Sequence, residues 1–342
     1  MSEVQRAPAE RRFAAELQQL TTADRDPKPQ GWRLSPRAVR RFILGDKQLQ
    51  VAQKFFGDDA LVDRCIVSLM GQQGLMLVGE PGTAKSLLSE LLAAAISGDS
   101  SLVVQGSAGV IEDHLRYGWN YALLLAEGPS ERALVPSPVL TGMRYGKVVR
   151  VEELTRCAPE VQDAMISLLS ERTVSIPELG PGAESRAVPG FNVIATANLR
   201  DRGVHEMSSA LKRRFNFETV RPIADAAFER ELVARQVAER MAEHSIKPTL
   251  NDEVVDLVVT VFRDLRTGVT SEGASVAQPN SVMSTAEAVN VTHAAALDAA
   301  YLDLGGVSGE HIARQVRGVV FKDDPEDARK FRAYLDLSLI HI

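Results

Sequence analysis

The most constraining feature of the sequence is a glycine-rich loop that joins an apolar run directly to a helical pattern. The run GLMLV at 74–78 predicts a short buried strand. A helix after the loop is predicted by apolar residues at helical spacing, namely Leu87, Leu88, Leu91, Leu92 and Ala95. The loop itself consists of Gly79, Glu80, Pro81, Gly82, Thr83, Ala84, Lys85 and Ser86. A strand that enters a helix through such a loop is the context that a phosphate-binding loop requires.

Each part of this loop has a role in binding phosphate. Backbone N–H groups at a helix N-terminus donate to phosphate oxygens, and the helix dipole favours negative charge there. Lys85 can reach the β- and γ-phosphates, and the Ser86 hydroxyl can ligate Mg²⁺. The sequence therefore predicts a site for a nucleoside triphosphate, ATP with Mg²⁺.

One loop residue departs from the usual pattern, which has a glycine before the lysine. In this chain the residue is Ala84. A methyl group is tolerated there only if the backbone φ is negative, because positive φ favours glycine. We therefore expect a negative φ at Ala84.

Strands and helices alternate on both sides of the loop. Further apolar runs predict strands at 101–105, 148–151, 191–196 and 215–220, and helical spacing lies between them. This alternation is typical of a mostly parallel sheet covered on both faces. The predicted fold is therefore α/β, with a P-loop αβα core and a five-stranded sheet over residues 46–222.

The rest of the chain divides by composition. Residues 1–45 form an N-terminal extension with a charged helix and a proline-rich stretch, and residues 223–336 form a helical domain. Within that domain Ser284 and Glu287 have the spacing of a capping box. The last six residues, 337–342, match a reading frame through a transposase adapter used in DNA library preparation, so we expect them to be an artefact; the alternative is a genuine short tail.

Composition excludes several classes of protein. The formal net charge is −6, which disfavours non-specific binding to nucleic acid or anionic membranes. No apolar run reaches 18 residues, and the N-terminus lacks an apolar signal core. The two cysteines, Cys65 and Cys157, form no CxxC pair and fit a reducing compartment. We expect a cytoplasmic protein without zinc, because the histidines form no cluster.

Two glutamates follow the predicted strand at 148–151. In a P-loop NTPase, an acidic residue at the tip of a strand beside the phosphate loop holds the Mg²⁺ shell. In many of these ATPases the next residue is a glutamate that polarises the attacking water. Glu152 stands where aspartate is usual, and its extra methylene extends the carboxylate by about 1.5 Å. Glu153 is the candidate catalytic base, and Arg150 is a candidate partner for a nearby carboxylate. The alternative is a pair of surface glutamates.

Three further polar residues are candidates for the same chemistry. Asn198 follows the predicted strand 191–196 and could orient the attacking water or sense the γ-phosphate, although asparagine after a strand is often a turn former. Arg213 and Arg214 precede the last predicted strand. They could be solvated edge residues, or arginine fingers for the γ-phosphate of a neighbouring subunit.

With these elements in order, the chain resembles an AAA+ ATPase of the MoxR type, in the dynein-related subgroup. The resemblance covers about residues 46–320 and rests on the stretches GLMLVGEPGTAKS, KVVRVEELTRCAPEVQDAMISLLSERTVSIPE and FNVIATANLRDRGVHEMSSALKRRF. It implies an αβα core with a helical lid, a ring such as a hexamer, and a nucleotide between subunits. It also implies roles for individual residues: Walker A for Lys85 and Ser86, Walker B for Glu152 and Glu153, sensor 1 for Asn198, and the arginine finger for Arg214 with Arg213 second.

The resemblance also predicts two inserts and shows one departure. Residues 113–146 and 173–190 have room for the segments that relatives place toward the ring pore or a partner, although Trp119, Tyr121 and Leu123 could instead pack on the core. Relatives often carry a sensor 2 arginine in the lid. Here Met283 lies near that place, and no Lys or Arg occurs between 268 and 313.

The sequence therefore predicts a MoxR-like ATPase that remodels or matures a partner protein. By resemblance, that partner would contain a von Willebrand factor A domain. One alternative is a nucleotide-dependent switch with little hydrolysis, motivated by Glu152 and the missing sensor 2 arginine. A second is a nucleic-acid motor, which the acidic balance disfavours.

Overall fold

The computed structural model describes residues 7–198, 203–242, 244, 250–281, 283–303, 305–322 and 324–338. The chain divides into two compact units. The first comprises Met1–Gly79 and Ala84–Val220, and the second comprises Glu80–Thr83 and Arg221–Ile342.

The first unit is built on a parallel sheet. Its strands in chain order are β1 (Gly74–Val78), β2 (Val103–Gln105), β3 (Tyr117–Trp119), β4 (Leu134–Pro136), β5 (Val148–Glu152), β6 (Thr173–Ser175), β7 (Glu184–Arg186), β8 (Asn192–Ala197) and β9 (Phe215–Thr219). Five of them form one sheet in the order β2-β5-β8-β1-β9, and every neighbouring pair in it is parallel. The predicted α/β class and five-stranded parallel sheet are confirmed.

Helices surround this sheet. They are α1 (Ala9–Arg12), α2 (Ala14–Ala23), α3 (Pro36–Leu44), α4 (Asp59–Met70), α5 (Lys85–Ser97), α6 (Tyr121–Glu127), α7 (Pro138–Tyr145), α8 (Pro159–Ser170) and α9 (Ser209–Lys212). Their ends follow local rules. Ser35 caps α3 by accepting a hydrogen bond from the Ala38 N–H, and Asp58 caps α4 through the Ala60 N–H.

The sheet separates two hydrophobic clusters. Leu75 and Leu77 of β1 belong to one cluster, and Met76 belongs to the other, because successive strand residues point to opposite faces. The first cluster also contains Leu17 and Phe42 of the N-terminal segment. Residues from α1–α3 therefore complete one face of the core.

Two hairpins occupy the regions that the sequence marks as inserts. β3 and β4 pair antiparallel, as do β6 and β7. Trp119 is partly buried against the second cluster, whereas Tyr121 of α6 is 74% exposed. Packing on the core is therefore confirmed for Trp119 and is wrong for Tyr121, and the orientation toward a pore or partner stays a prediction.

The second unit is helical around its own core. Its helices are α10 (Ala226–Met241), α11 (Asp252–Thr267), α12 (Thr285–Asp298), α13 (Gly309–Val316) and α14 (Pro325–Ser338). The Ser284–Glu287 capping box at the start of α12 is confirmed. Met283 is buried in this unit's core. The sequence did not predict α13, and most of the suspected artefact, 339–342, lies outside the described residues.

None of the helices in the described part of the chain is both long enough and apolar enough to cross a membrane.

Candidate functional site

The predicted site residues other than Arg213 and Arg214 meet at the carboxyl edge of the parallel sheet. Val78 at the end of β1 is in register with Ala197 of β8, and Val151 of β5 is in register with Ala195. The residues that follow these positions therefore leave the sheet at the same edge. That edge is where open α/β sheets bind their ligands.

The glycine-rich loop contains a left-handed residue that is not glycine. Ala84, directly before α5, has φ 66° and ψ 22°. The predicted negative φ at Ala84 is wrong. The chain enters α5 through a left-handed turn although the side chain is a methyl group, at a cost of roughly 1–2 kcal/mol for an L-residue.

The start of α5 presents positive charge. The Lys85 side chain is buried, and its Nζ donates to the Gly79 carbonyl oxygen at 2.9 Å. Ala84 offers no side-chain cap to the first turn of α5. The N-terminal N–H groups of a helix without a side-chain cap favour an anion, and the helix dipole adds to this preference.

A buried carboxylate joins α5 to the strand tips. Ser86 Oγ donates to Glu152 Oε2 at 2.7 Å, and Thr196 Oγ1 donates to the same oxygen at 2.8 Å. The other oxygen, Oε1, accepts from Ser89 Oγ and from Arg150 Nη2, each at 2.7 Å. The pairing expected for Arg150 is therefore present, with Glu152 as its partner.

These donors keep Glu152 ionised. Burial acts to raise the pKa of Glu152, but hydrogen bonds from Ser89, Ser86 and Thr196 and the charge of Arg150 outweigh it, so the pKa lies below its ordinary value. An ionised carboxylate beside a serine hydroxyl supplies the oxygen ligands that Mg²⁺ prefers. Ser86 and Glu152 therefore fit a magnesium site.

Glu153 lies in a second strained conformation. Its backbone has φ 54° and ψ 43°, and its N–H donates to Thr196 Oγ1 at 3.0 Å. Its carboxylate accepts from Asn198 Nδ2 at 2.9 Å and lies 3.4 Å from Arg156 Nε. Left-handed non-glycine residues occur preferentially at functional sites, where the surrounding structure holds them.

Asn198 is buried beside this carboxylate. Its Nδ2 is used by Glu153, but its Oδ1 is buried and has no hydrogen-bond partner within the described residues. A buried acceptor without a partner is costly unless a ligand or water completes it. The side chain is therefore suited to hold Glu153 with one end and to accept a hydrogen bond from a water with the other.

Arg213 and Arg214 are not near this cluster. They precede β9, whose first residue Phe215 is in register with Gly74, the first residue of β1. The loop leaves the far end of β1, about 16 Å away for a five-residue strand. Arg214 donates to Ser170 Oγ and the Ala210 carbonyl oxygen. Arg213 is exposed.

Several site residues were not singled out in the sequence. Ser89, Thr196 and Arg156 join the cluster through the hydrogen bonds and ion pair described above. One signal was available for Thr196, because it lies two residues before Asn198 and strand residues at that spacing share a face. The contact of Ser89 with Glu152 depends on sheet order, which the sequence does not reveal.

Two family models match the chain. The AAA domain (dynein-related subfamily) matches residues 74–215, and the YehL-like AAA+ ATPase C-terminal domain matches residues 227–341. Among curated proteins, the chain is 49% identical to the uncharacterised protein YehL of Escherichia coli (strain K12), over 97% of this chain and 92% of that protein.

Two more distant matches cover a smaller part of this chain. An uncharacterised protein of Staphylococcus aureus (strain USA300) is 29% identical over 42% of this chain and 53% of its own length. A crystal structure of NtrX from Brucella abortus superposes with a TM-score of 0.50 at 12% identity, over 75% of this chain and 54% of the NtrX chain. That similarity shows a shared fold alone.

Proposed function

The chain belongs to the YehL-like family of AAA+ ATPases, and from that premise we propose that it binds ATP with Mg²⁺ and hydrolyses it. The observation that carries this proposal is a continuous set of hydrogen bonds from the phosphate loop to the strand tips. It runs from Ser86 to Glu152, through Thr196 to the Glu153 backbone, and from the Glu153 carboxylate to Asn198. The residues proposed to bind the nucleotide and those proposed to hydrolyse it therefore lie at the same edge of the sheet.

The phosphate loop performs the binding. Lys85 and the first-turn N–H groups of α5 attract the phosphates, and Ser86 and Glu152 provide oxygen ligands for the metal. Mg²⁺, when bound there, would neutralise charge on the β- and γ-phosphate oxygens. The hydrogen bonds of Glu152 hold its carboxylate beside the Ser86 hydroxyl.

Glu153 and Asn198 act on water. The Glu153 carboxylate accepts a proton from the attacking water as its general base. Asn198 Nδ2 orients that carboxylate, and the free Oδ1 accepts a hydrogen bond from the water. The strained backbone of Glu153 directs its side chain toward Asn198.

We also propose that hydrolysis requires a second copy of the chain. Arg213 and Arg214 lie at the edge of the sheet opposite to their own phosphate loop, so the γ-phosphate they could reach belongs to another subunit. This placement supports a ring, such as a hexamer. In that ring the protein would remodel a partner protein, with a von Willebrand factor A domain protein as the proposed partner.

A second candidate function is an ATP-dependent switch with slow turnover. The observation that favours it is the engagement of the Glu153 carboxylate by both Asn198 and Arg156. A base held in this way must change partners before it activates water. The switch and the enzyme share the binding site and differ in the rate of hydrolysis.

The binding site is tested by Lys85→Ala. Removing the ammonium group leaves the phosphates without their main charge partner, so the variant should lose nucleotide binding. Thermal unfolding with and without MgATP measures this, because a ligand stabilises the state that it binds. Wild type should gain thermal stability, and Lys85→Ala should gain none.

The matched control is Lys47→Ala, which removes an exposed lysine of the same unit. This variant should be stabilised by MgATP as much as wild type is. Equal stabilisation of Lys85→Ala and wild type would reject the site.

A further inference from the structure

Arg150 is a charged residue in the middle of a buried strand. It lies in β5 two positions before Glu152, so both side chains project from the same face of the sheet. Arginine is rarely buried without a partner. The hydrogen-bond partners of the Arg150 guanidinium therefore indicate its role.

The Arg150 guanidinium connects three parts of the site. Nη2 donates to Glu152 Oε1 at 2.7 Å, and Nε donates to Ser89 Oγ at 2.9 Å. Nη2 also lies 3.2 Å from the Ser86 carbonyl oxygen, and Nη1 donates to the Ser100 carbonyl oxygen at 3.1 Å. The group thus holds the strand, the first turns of α5 and the segment before β2 together.

Because of these contacts, the two carboxylate oxygens of Glu152 have different hydrogen-bond partners. Oε1 is occupied by Arg150 and Ser89, which are both buried. Oε2 accepts from Thr196 Oγ1 and from the Ser86 hydroxyl, which is the other candidate ligand for the metal. A glutamate has one more rotatable bond than aspartate, and the fixed Oε1 removes that freedom.

Resting on the proposed function, we propose that Arg150 is a positioning residue for the magnesium site. It holds Glu152 by Oε1 so that Oε2 alone is presented beside Ser86. The arginine compensates for a glutamate at a place where the shorter aspartate is usual. Arg150 touches neither the nucleotide nor the reacting atoms and acts through Glu152.

The test measures nucleotide binding rather than turnover. Fluorescent ATP analogue binding to the full-length protein is followed first in EDTA and then across a Mg²⁺ titration, for wild type, Arg150→Lys and Glu152→Gln. Lysine keeps the charge but cannot make the same fork of hydrogen bonds. Arg150→Lys should bind the analogue in EDTA as wild type does and need about 10-fold more Mg²⁺ for half-saturation, since residues that orient metal ligands typically contribute that much.

Arg150→Met alone would leave a buried carboxylate without its cation and is expected to destabilise the fold, so the arginine is removed only together with the charge of Glu152. The double variant Arg150→Met with Glu152→Gln removes both charges. If Arg150 acts through Glu152, the double variant should have the same Mg²⁺ requirement as Glu152→Gln alone. A further loss of the same size as that caused by Arg150→Lys would overturn the inference.

The matched control is Lys147→Met, which breaks an ion pair between Asp99 and the residue directly before β5, at the end of the strand away from Glu152. It should leave the Mg²⁺ requirement unchanged. If Glu152→Gln raises the requirement but Arg150→Lys matches wild type, the inference fails and the proposed function stands. If wild type binds no analogue, or Glu152→Gln has no effect on the Mg²⁺ requirement, both the magnesium site and the inference fail.

Discussion

At the scale of single residues, the site depends on backbone conformations that only its surroundings explain. Ala84 and Glu153 are both left-handed without being glycine. Ala84 stands directly before the helix that carries Lys85 and Ser86, and Glu153 stands directly after the strand that carries Glu152. Each strained residue therefore sets the direction of a neighbouring functional side chain.

Replacing Ala84 by glycine should relieve strain. The left-handed alanine costs about 1–2 kcal/mol, whereas glycine loses about 0.5–1 kcal/mol through its freer unfolded chain. We expect Ala84→Gly to raise the free energy of unfolding by up to about 1.5 kcal/mol, which is the largest difference between these two effects. Urea unfolding without nucleotide measures it.

The comparison for Ala84→Gly is Ala95→Gly, in the buried interior of the same helix. There glycine should lower the free energy of unfolding by about 1 kcal/mol or more. Equal losses for the two variants would show that Ala84 carries no strain.

At this scale the sequence predicted which residues form the loop better than it predicted their backbone conformations. The spacing from Gly79 to Ser86 predicted the turn into α5, since strand, loop and helix are local features. The φ of Ala84 was predicted with the wrong sign, because the need for a left-handed turn outweighs the preference of the residue. The network around Arg150 depends on contacts between distant parts of the chain, such as the hydrogen bond from Arg150 to the Ser86 carbonyl oxygen 64 positions away.

At the scale of elements, the close approach of β2 and β5 positions the acidic pair. Gly106 follows β2, and its N–H donates to the Glu152 carbonyl oxygen at 2.7 Å. A Cβ at this position would lie 2.3 Å from the Glu153 carbonyl oxygen and 2.8 Å from that of Glu152. Such distances are not tolerated, so the absence of a side chain at Gly106 lets the two segments meet.

Gly106→Ala should therefore separate the strand tips and displace Glu153. We expect the free energy of unfolding to fall by about 1–3 kcal/mol, as for other overpacked sites, and ATP hydrolysis to fall more than ATP binding. Unfolding and phosphate-release measurements on the same preparation test this.

Gly109→Ala provides the control for the same loop. A Cβ at Gly109 would meet only Ser107 Oγ, at 3.8 Å. This variant should keep wild-type stability and activity. Matching defects in the two alanine variants would point to general sensitivity of the loop rather than to the contact at Gly106.

Elements with strong periodicity were predicted within a few residues. The strands of the main sheet, helix α5 and the start of α12 follow from apolar spacing and from the capping box. The hairpins β3–β4 and β6–β7 were recognised only as inserts, because three-residue strands are too short to show a period. Sheet order was not predicted, since pairing between distant strands leaves no local signal.

At the scale of the whole molecule, the residues proposed for hydrolysis lie at two opposite edges of one sheet. The carboxyl edge of the sheet carries the phosphate loop and Glu153, and the amino edge carries Arg213 and Arg214. The AAA+ family predicted from the sequence is confirmed by the matching family models and by the similarity to YehL. Assembly and the partner protein remain proposals.

Mixing variants tests whether the two edges cooperate between subunits. Glu153→Gln and Arg214→Ala should hydrolyse ATP slowly while still binding it, and Arg213→Ala is measured beside them because Arg213 is the second candidate for the finger. Mixed rings of Glu153→Gln with the arginine variant that is inactive should recover part of the phosphate release, because some interfaces then join an intact Glu153 to an intact arginine. The arginine whose loss abolishes turnover is the finger. No recovery in mixtures of either arginine variant would argue against a shared site.

In the proposed function, hydrolysis of the bound nucleotide depends on Glu153 as the general base. Glu153→Gln keeps the shape and the hydrogen bond to Asn198 but removes the base. Phosphate release from MgATP, measured for both proteins at equal nucleotide saturation, compares them directly. We predict a rate about 10²–10⁴-fold lower for Glu153→Gln, the usual contribution of a general base. Equal rates for the two proteins would contradict the account and favour the switch.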